Sequence, residues 1–121
     1  MNSASPKDSA ATTLGKTIRG ARQARGLSLR DVAEALEINH VSLGEIELDR
    51  RIPSEKLLRR IAEELRLDAD ELRARAGKLT EEEVGYLKRN PSALKLLIAM
   101  MEAGFGAKET EKLVMQVEKR R

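Results

Sequence analysis

Apolar residues recur along this chain at helical spacing, with few breaks from Leu14 onward. Leu14, Ile18 and Ala21 stand at i, i+4 and i+7, the stripe of a first helix that Gly26 stops. Ser28 suits an N-cap, and Leu29, Val32, Ala33 and Leu36 follow at i, i+3, i+4 and i+7, which predicts a short second helix. Ile38 breaks that spacing. Asn39 can then cap a third helix, whose inner side is Leu43 and Ile46. Pro53 disfavours helix at Ile52 and suits the first turn of a fourth, from about Pro53 to Leu65, striped by Leu57, Leu58, Ile61, Ala62 and Leu65. A fifth opens on the capping-box spacing Asp68-x-x-Glu71 and buries Leu72. The run Arg75 to Lys78 closes this unit.

The pattern then restarts. Thr80 to Glu83 has capping-box spacing, with Val84 and Leu87 as the apolar side. Asn90-Pro91 reads as a cap followed by proline at the first helical position. The helix from Pro91 to about Glu102 is apolar over most of its surface, through Ala93, Leu94, Leu96, Leu97, Ile98, Met100 and Met101. A helix of that kind has to be covered on two sides. Gly104 and Gly106 turn the chain around Phe105, and a last helix from about Ala107 to Lys119 is expected to bury Leu113, Val114 and Val117. The expected organisation is all-α. A small polar tail over residues 1–12 is expected to be disordered, five short helices occupy 13–77, and about three more occupy 78–121.

Composition narrows the chemistry. Charged residues make up 36% and aromatics 2%, which argues against a large aromatic-lined ligand pocket. There is no cysteine and one histidine, His40, so no disulfide, zinc-thiolate site or cysteine nucleophile is available. No metal site and no cofactor are expected. The chain shows no nucleophile–base constellation and no phosphate loop, so it reads as a non-enzyme. No apolar run reaches the roughly 18 residues of a membrane span, and residues 1–13 lack a hydrophobic signal core, which reads as a cytoplasmic protein. A net charge of +3 is too small to argue for nucleic acid by itself. Its distribution says more: Lys16, Arg19, Arg22 and Arg25 fall between Leu14 and Gly26 with no acid among them. That stripe is either a DNA-facing surface or a solvated helix face.

Two short helices with about three residues between them must cross steeply. Ala33 lies where they approach, and Val32, Leu36, Ile38, Leu43 and Ile46 point into one shared core. The third helix then projects His40, Val41, Gly44 and Glu45, the candidate base-reading residues, as a helix entering a DNA major groove would. A purely structural helical hairpin has the same bare pattern.

The wider stretch discriminates between these. With "IRGARQARGLSLRDVAEALEI" followed by "LGEIELDRRIPSEKLLRRIAEEL", residues 14–72 resemble the Cro/phage-repressor (XRE) type helix-turn-helix transcriptional regulators over about half of the chain. The resemblance implies a five-helix repressor-like helix-turn-helix DNA-binding domain, usually dimeric on an operator, followed here by a small helical oligomerisation unit. It implies a scaffold ion pair between Arg22 and Glu47, and it places Glu45 where bases are read. A carboxylate there accepts from cytosine N4, or else pairs with a nearby arginine. Arg50 and Arg51 resemble phosphate-contacting basic residues, and Ser28, Arg30, Asn39 and Ser42 complete the expected phosphate contacts. The chain departs from the family pattern at Leu29, where glutamine is frequent, and at Glu37 and Asp49, where glycine is usual.

The C-terminal helices are expected to join two copies through Leu94, Leu97, Ile98, Met101, Phe105, Leu113 and Val117. The alternatives are the core of a three-helix unit or a surface for another protein. The leading expectation is thus a sequence-specific double-stranded DNA-binding regulator, a homodimeric repressor on an operator. The competing one is an antitoxin-like or adaptor protein whose C-terminal helices hold a partner. The resemblance admits an antirepressor, a protease or a toxin in that place.

Overall fold

The computed structural model describes residues 12–121, which contain eight helices and no strand. They form two compact units that divide between Leu79 and Thr80. The tail expected over 1–12 lies, Thr12 apart, outside the described residues.

The first unit holds α1 (Leu14–Ala24), α2 (Leu29–Leu36), α3 (His40–Glu47), α4 (Glu55–Leu65) and α5 (Ala69–Arg75). Each starts on a side chain that accepts a first-turn backbone N–H: Thr13, Ser28, Asn39, Ser54 and Asp68. Such a cap contributes about 1 kcal/mol. α4 begins at Glu55, not at Pro53, because the Ser54 hydroxyl can accept from Leu57 N and a proline ring cannot. Each helix ends in a left-handed residue, at Gly26, Glu37, Asp49, Arg66 and Gly77. After α2, Ile38 N donates to Ala33 O and Glu37 N to Glu34 O, both at 3.0 Å. After α3, Arg50 N donates to Glu45 O at 2.9 Å and Asp49 N to Ile46 O at 3.0 Å. These paired bonds satisfy carbonyls the helices leave open. Holding a non-glycine residue in this conformation costs about 1–2 kcal/mol.

Between the helices lies an aliphatic core, with Ile18, Leu36, Leu43, Ile46, Leu58, Ile61 and Leu72 fully enclosed and Val32, Ala33, Ala62 and Leu65 beside them. Ile38 packs against it only partly buried. Gly15 is buried where α1 meets the end of α3. A Cβ there would stand 2.4 Å from Glu47 O and 2.7 Å from Ile46 O, so only glycine permits the approach.

In the second unit are α6 (Glu81–Arg89), α7 (Ser92–Glu102) and α8 (Ala107–Glu118). The Thr80–Glu83 box forms in both directions. Asn90 does not cap α7 as expected. Its Nδ2 donates to Tyr86 O at 3.0 Å and so closes α6. No residue from Thr80 to Arg121 is buried. Leu113 is half-buried, while Val114 and Val117, expected inward, are exposed. The two other helices of the unit offer too little surface to wrap α7, which is apolar almost all round. The chain's two aromatic residues, Tyr86 and Phe105, both belong to this unit. Among the described residues no helix is long and apolar enough to cross a membrane.

Candidate nucleic-acid interface

α2 fixes the frame on which α3 stands. Its start is a reciprocal box: Asp31 N donates to Ser28 Oγ at 3.0 Å, and Ser28 N donates to Asp31 Oδ2 at 3.1 Å. The Ser28 backbone N–H, and after it the Ser28 hydroxyl, hold the Asp31 carboxyl below the usual carboxylate range. Asn39 Oδ1 accepts from Val41 N at 2.7 Å and sets the first turn of α3. Leu29 occupies the family's glutamine position as a packing residue. A Cβ on Gly44 would lie 3.4 Å from its Cδ2, so the large side chain on α2 fills the space beside the small residue on α3.

On its inner side α3 is anchored by Leu43, Ile46 and Glu47. Glu47, 7% exposed, is the one buried charged residue among those described. Arg22 grips it with two donors, Nε to Oε2 at 2.7 Å and Nη2 to Oε1 at 3.0 Å, and gives Nη1 to Leu27 O at 2.9 Å. The hydrogen bond to Glu47 raises the Arg22 pKa above its ordinary value, against the opposing effect of burial. Such bidentate geometry is the strong form of an ion pair.

Asp49 makes a second tie. Its carboxylate accepts from Thr13 Oγ1 at 2.5 Å and from Gly15 N at 2.8 Å. Thr13 Oγ1 itself accepts from Lys16 N at 3.1 Å. An aspartate in place of the family's glycine therefore binds the end of α3 to the positive end of α1, where a carboxylate is favoured. The turn keeps its left-handed form, with φ +61° at Asp49.

The expected base-reading residues separate into two groups. Positions 41, 45 and 48 share the face opposite Leu43 and Ile46. Val41 is 59% exposed, Leu48 55%, and Glu45 is half-buried between them. Leu48 is not among the expected residues, although its spacing from Val41 was readable. His40 turns instead toward α2, where it lines a cleft of about 300 Å³ with Arg30, Ala33, Glu34, Ile38 and Asn39. Gly44 also faces α2. Of the expected phosphate contacts, Arg51 Nη1 reaches Ser42 Oγ at 2.8 Å. Arg30 and Asn39 meet in the cleft, and Arg50 is exposed. Ser28 lies at the other end of α2, its oxygen engaged by Asp31. Among the described residues no group of three or more His, Cys, Asp or Glu could hold a metal ion.

The expected joining residues also separate. Leu94, Leu97, Ile98 and Met101 are exposed along α7, and Phe105 is exposed in the turn. Leu113 and Val117 line an apolar groove of about 380 Å³ with Leu96 and Met100 of α7, Thr110, Val114 and Glu118 of α8, and Arg121 beyond it.

A helix-turn-helix family model matches residues 18–72. An uncharacterised HTH-type transcriptional regulator of Bacillus subtilis, YazB, is 40% identical over 58 residues, which are 48% of this chain and 84% of that protein. The transcriptional regulator ClgR of Mycobacterium tuberculosis is 37% identical over 73 residues, 54% of this chain and 65% of that protein. Of solved structures, the clp gene regulator ClgR of Corynebacterium glutamicum is 23% identical with a TM-score of 0.47, covering 74% of this chain and 88% of that one. A chain of a SinR–SinI protein complex is 22% identical with a TM-score of 0.49, covering 89% of this chain and 97% of that one.

Proposed function

The chain belongs to the XRE-type helix-turn-helix DNA-binding transcriptional regulators, and from that premise we propose that it is a sequence-specific dimeric repressor. It occupies an operator through the major groove and performs no catalysis. The observation that carries this reading is the presentation of α3. Leu43, Ile46 and Glu47 lock one side into the core, and Val41, Glu45 and Leu48 stand on the other. α3 carries no lysine or arginine of its own. Attraction to the phosphates therefore comes from its flanks: Arg30 beside the cleft, Arg50 and Arg51 after the helix, and the backbone N–H groups behind Ser28, Asn39 and Ser42.

The second unit supports dimerisation. With Met101 70% exposed and Leu94, Leu97 and Ile98 beside it, the apolar face of α7 is left uncovered by the described residues. A second copy that covers it also joins two half-sites about 34 Å apart. The α7–α8 groove favours a second reading, in which an amphipathic helix of another protein docks there, as in an antitoxin or adaptor. An antirepressor, a protease or a toxin has the same opportunity. Light scattering of the purified chain with a hydrophobic dye separates the two. A dimer that excludes dye supports self-association; a dye-binding monomer supports the partner reading.

Selection of bound sequences from a random duplex pool tests DNA recognition. A palindromic site whose binding falls steeply with salt is the expected result, and an unenriched pool would overturn the reading. Arg50→Ala weakens binding to every sequence, whereas Glu45→Ala changes preference at one base position.

A further inference from the structure

Phosphate attraction does not explain the outward face of α3. That face bears two exposed branched aliphatic side chains and a carboxylate, in the order Val41, Glu45, Leu48. Neither aliphatic group packs into the core, and neither attracts an anion. Val41 is also rigidly held. Asn39 fixes its backbone N–H at 2.7 Å, and its β-branch restricts χ1. A stiff apolar knob at the tip of a recognition helix has one complementary group on the major-groove edge of DNA, the C5-methyl of a pyrimidine. Glu45 follows one turn later and only accepts hydrogen bonds. The groove donors it can meet are exocyclic amino groups, of which cytosine N4 is the usual carboxylate partner. Four helical residues advance about 6 Å, and successive base pairs are about 3.4 Å apart, so the two contacts fall within two base pairs of each other.

We infer that Val41 is a specificity residue that packs on a pyrimidine C5-methyl, with Glu45 accepting from an amino group within two base pairs of it. The inference rests on the major-groove reading of α3 and adds the chemistry of the base. The methyl belongs either to thymine or to a 5-methylcytosine.

Deoxyuridine separates this idea from general DNA binding, because it keeps every hydrogen-bonding group of thymidine and lacks only the methyl. In the operator obtained by selection, each thymidine is replaced in turn by deoxyuridine, and each cytidine by 5-methyldeoxycytidine. One position per half-site should lose about fourfold in affinity on loss of the methyl, the worth of a single buried carbon. A thymine source shows in the first series. A methylated-cytosine source shows as a gain of similar size at one cytidine in the second. Val41→Ala should bind the natural operator several-fold more weakly and no longer distinguish the methylated from the unmethylated base. Its melting temperature should stay at the wild-type value, because Val41 is outside the core.

Tight operator binding with both series flat would overturn the inference and leave the regulator reading intact. So would a Val41→Ala protein that keeps the full methyl preference. Failure to select any operator would overturn both.

Discussion

Residues 12–79 and residues 80–121 both fold into short helices, yet only the first set closes over its own apolar side chains. Some helix-making signals are shared, although α7 and α8 start without a side-chain cap. Ser28–Asp31 and Thr80–Glu83 form the same reciprocal box, and Gly26 and Gly104 make the same left-handed exit. What differs is geometry. In the first unit the helices enclose Ala33, Leu36, Leu43 and Ile61 between them. In the second, α7 is flanked by two short helices and keeps Leu94, Leu97, Ile98 and Met101 in water. A helix can form on local signals alone; a core needs a third surface, which the described residues do not supply for α7. The first unit thus presents a firmly held outward face on α3, and the second an exposed apolar helix.

The largest effect that can break this contrast is expected on α7. Leu97→Asp should separate the copies and lower operator affinity by about 100-fold or more, since linked half-sites gain that much from each other. Sedimentation and binding measured together check it; a variant that still dimerises would show that another surface joins the copies. Next come paired truncations followed by urea unfolding of dilute protein. Ile61→Ala should cost about 2–5 kcal/mol, the usual range for a filled core position. Leu96→Ala should cost under about 1 kcal/mol, because its side chain is already exposed. Equal costs would erase the distinction drawn here.

Glu47→Ala comes near the lower end of about 3–5 kcal/mol, because Arg22 retains its bond to Leu27 O and some access to water. A smaller test concerns two left-handed residues that differ in use. Arg66→Gly should stabilise the first unit by about 1 kcal/mol through relief of its backbone. Asp49→Gly relieves the same strain but unties Thr13 and Gly15, so it should come out neutral or destabilising. Smallest is the acid limb. The carboxyls of Asp31 and Glu109 are both held below their ordinary range, Asp31 by the Ser28 backbone and hydroxyl and Glu109 by its own N–H and that of Gly106. Each contributes stability above about pH 4 and loses it as pH falls through the lowered value. Asp31→Asn and Glu109→Gln should each flatten the acid side of the unfolding profile, one in each unit.

The legible part of the fold is the local part. Apolar spacing marks all eight helices, and capping residues some of their starts, because a helix is decided by residues three and four apart. The inward side of α3 is readable from Leu43 and Ile46 for the same reason. What the sequence conceals is distance. Nothing local ties Asp49 to Thr13 and Gly15, or demands glycine at 15 where Glu47 O crowds it. Leu48 resembles a core residue in a run of core residues, and only the packed position of Glu47 turns it outward. Nor does register alone place His40 in the cleft beside α2, or set Gly44 against Leu29. Pro53 and Asn90 mislead because each suits a helix start, and a neighbouring residue or carbonyl made the better bond. Periodicity marked α7 as apolar on several sides but had no means of saying what covers it.

The distribution of rings has a practical consequence. Tyr86 and Phe105 are the chain's only aromatic side chains, there is no tryptophan, and both lie beyond Leu79. The first unit is therefore optically silent in the near ultraviolet, and every tyrosine photon comes from the second. Dilution and operator titration followed by tyrosine emission can then be told apart in one cuvette without any label: the first perturbs the fluorophore's surroundings, and the second does so only to the extent that DNA tightens the junction between copies.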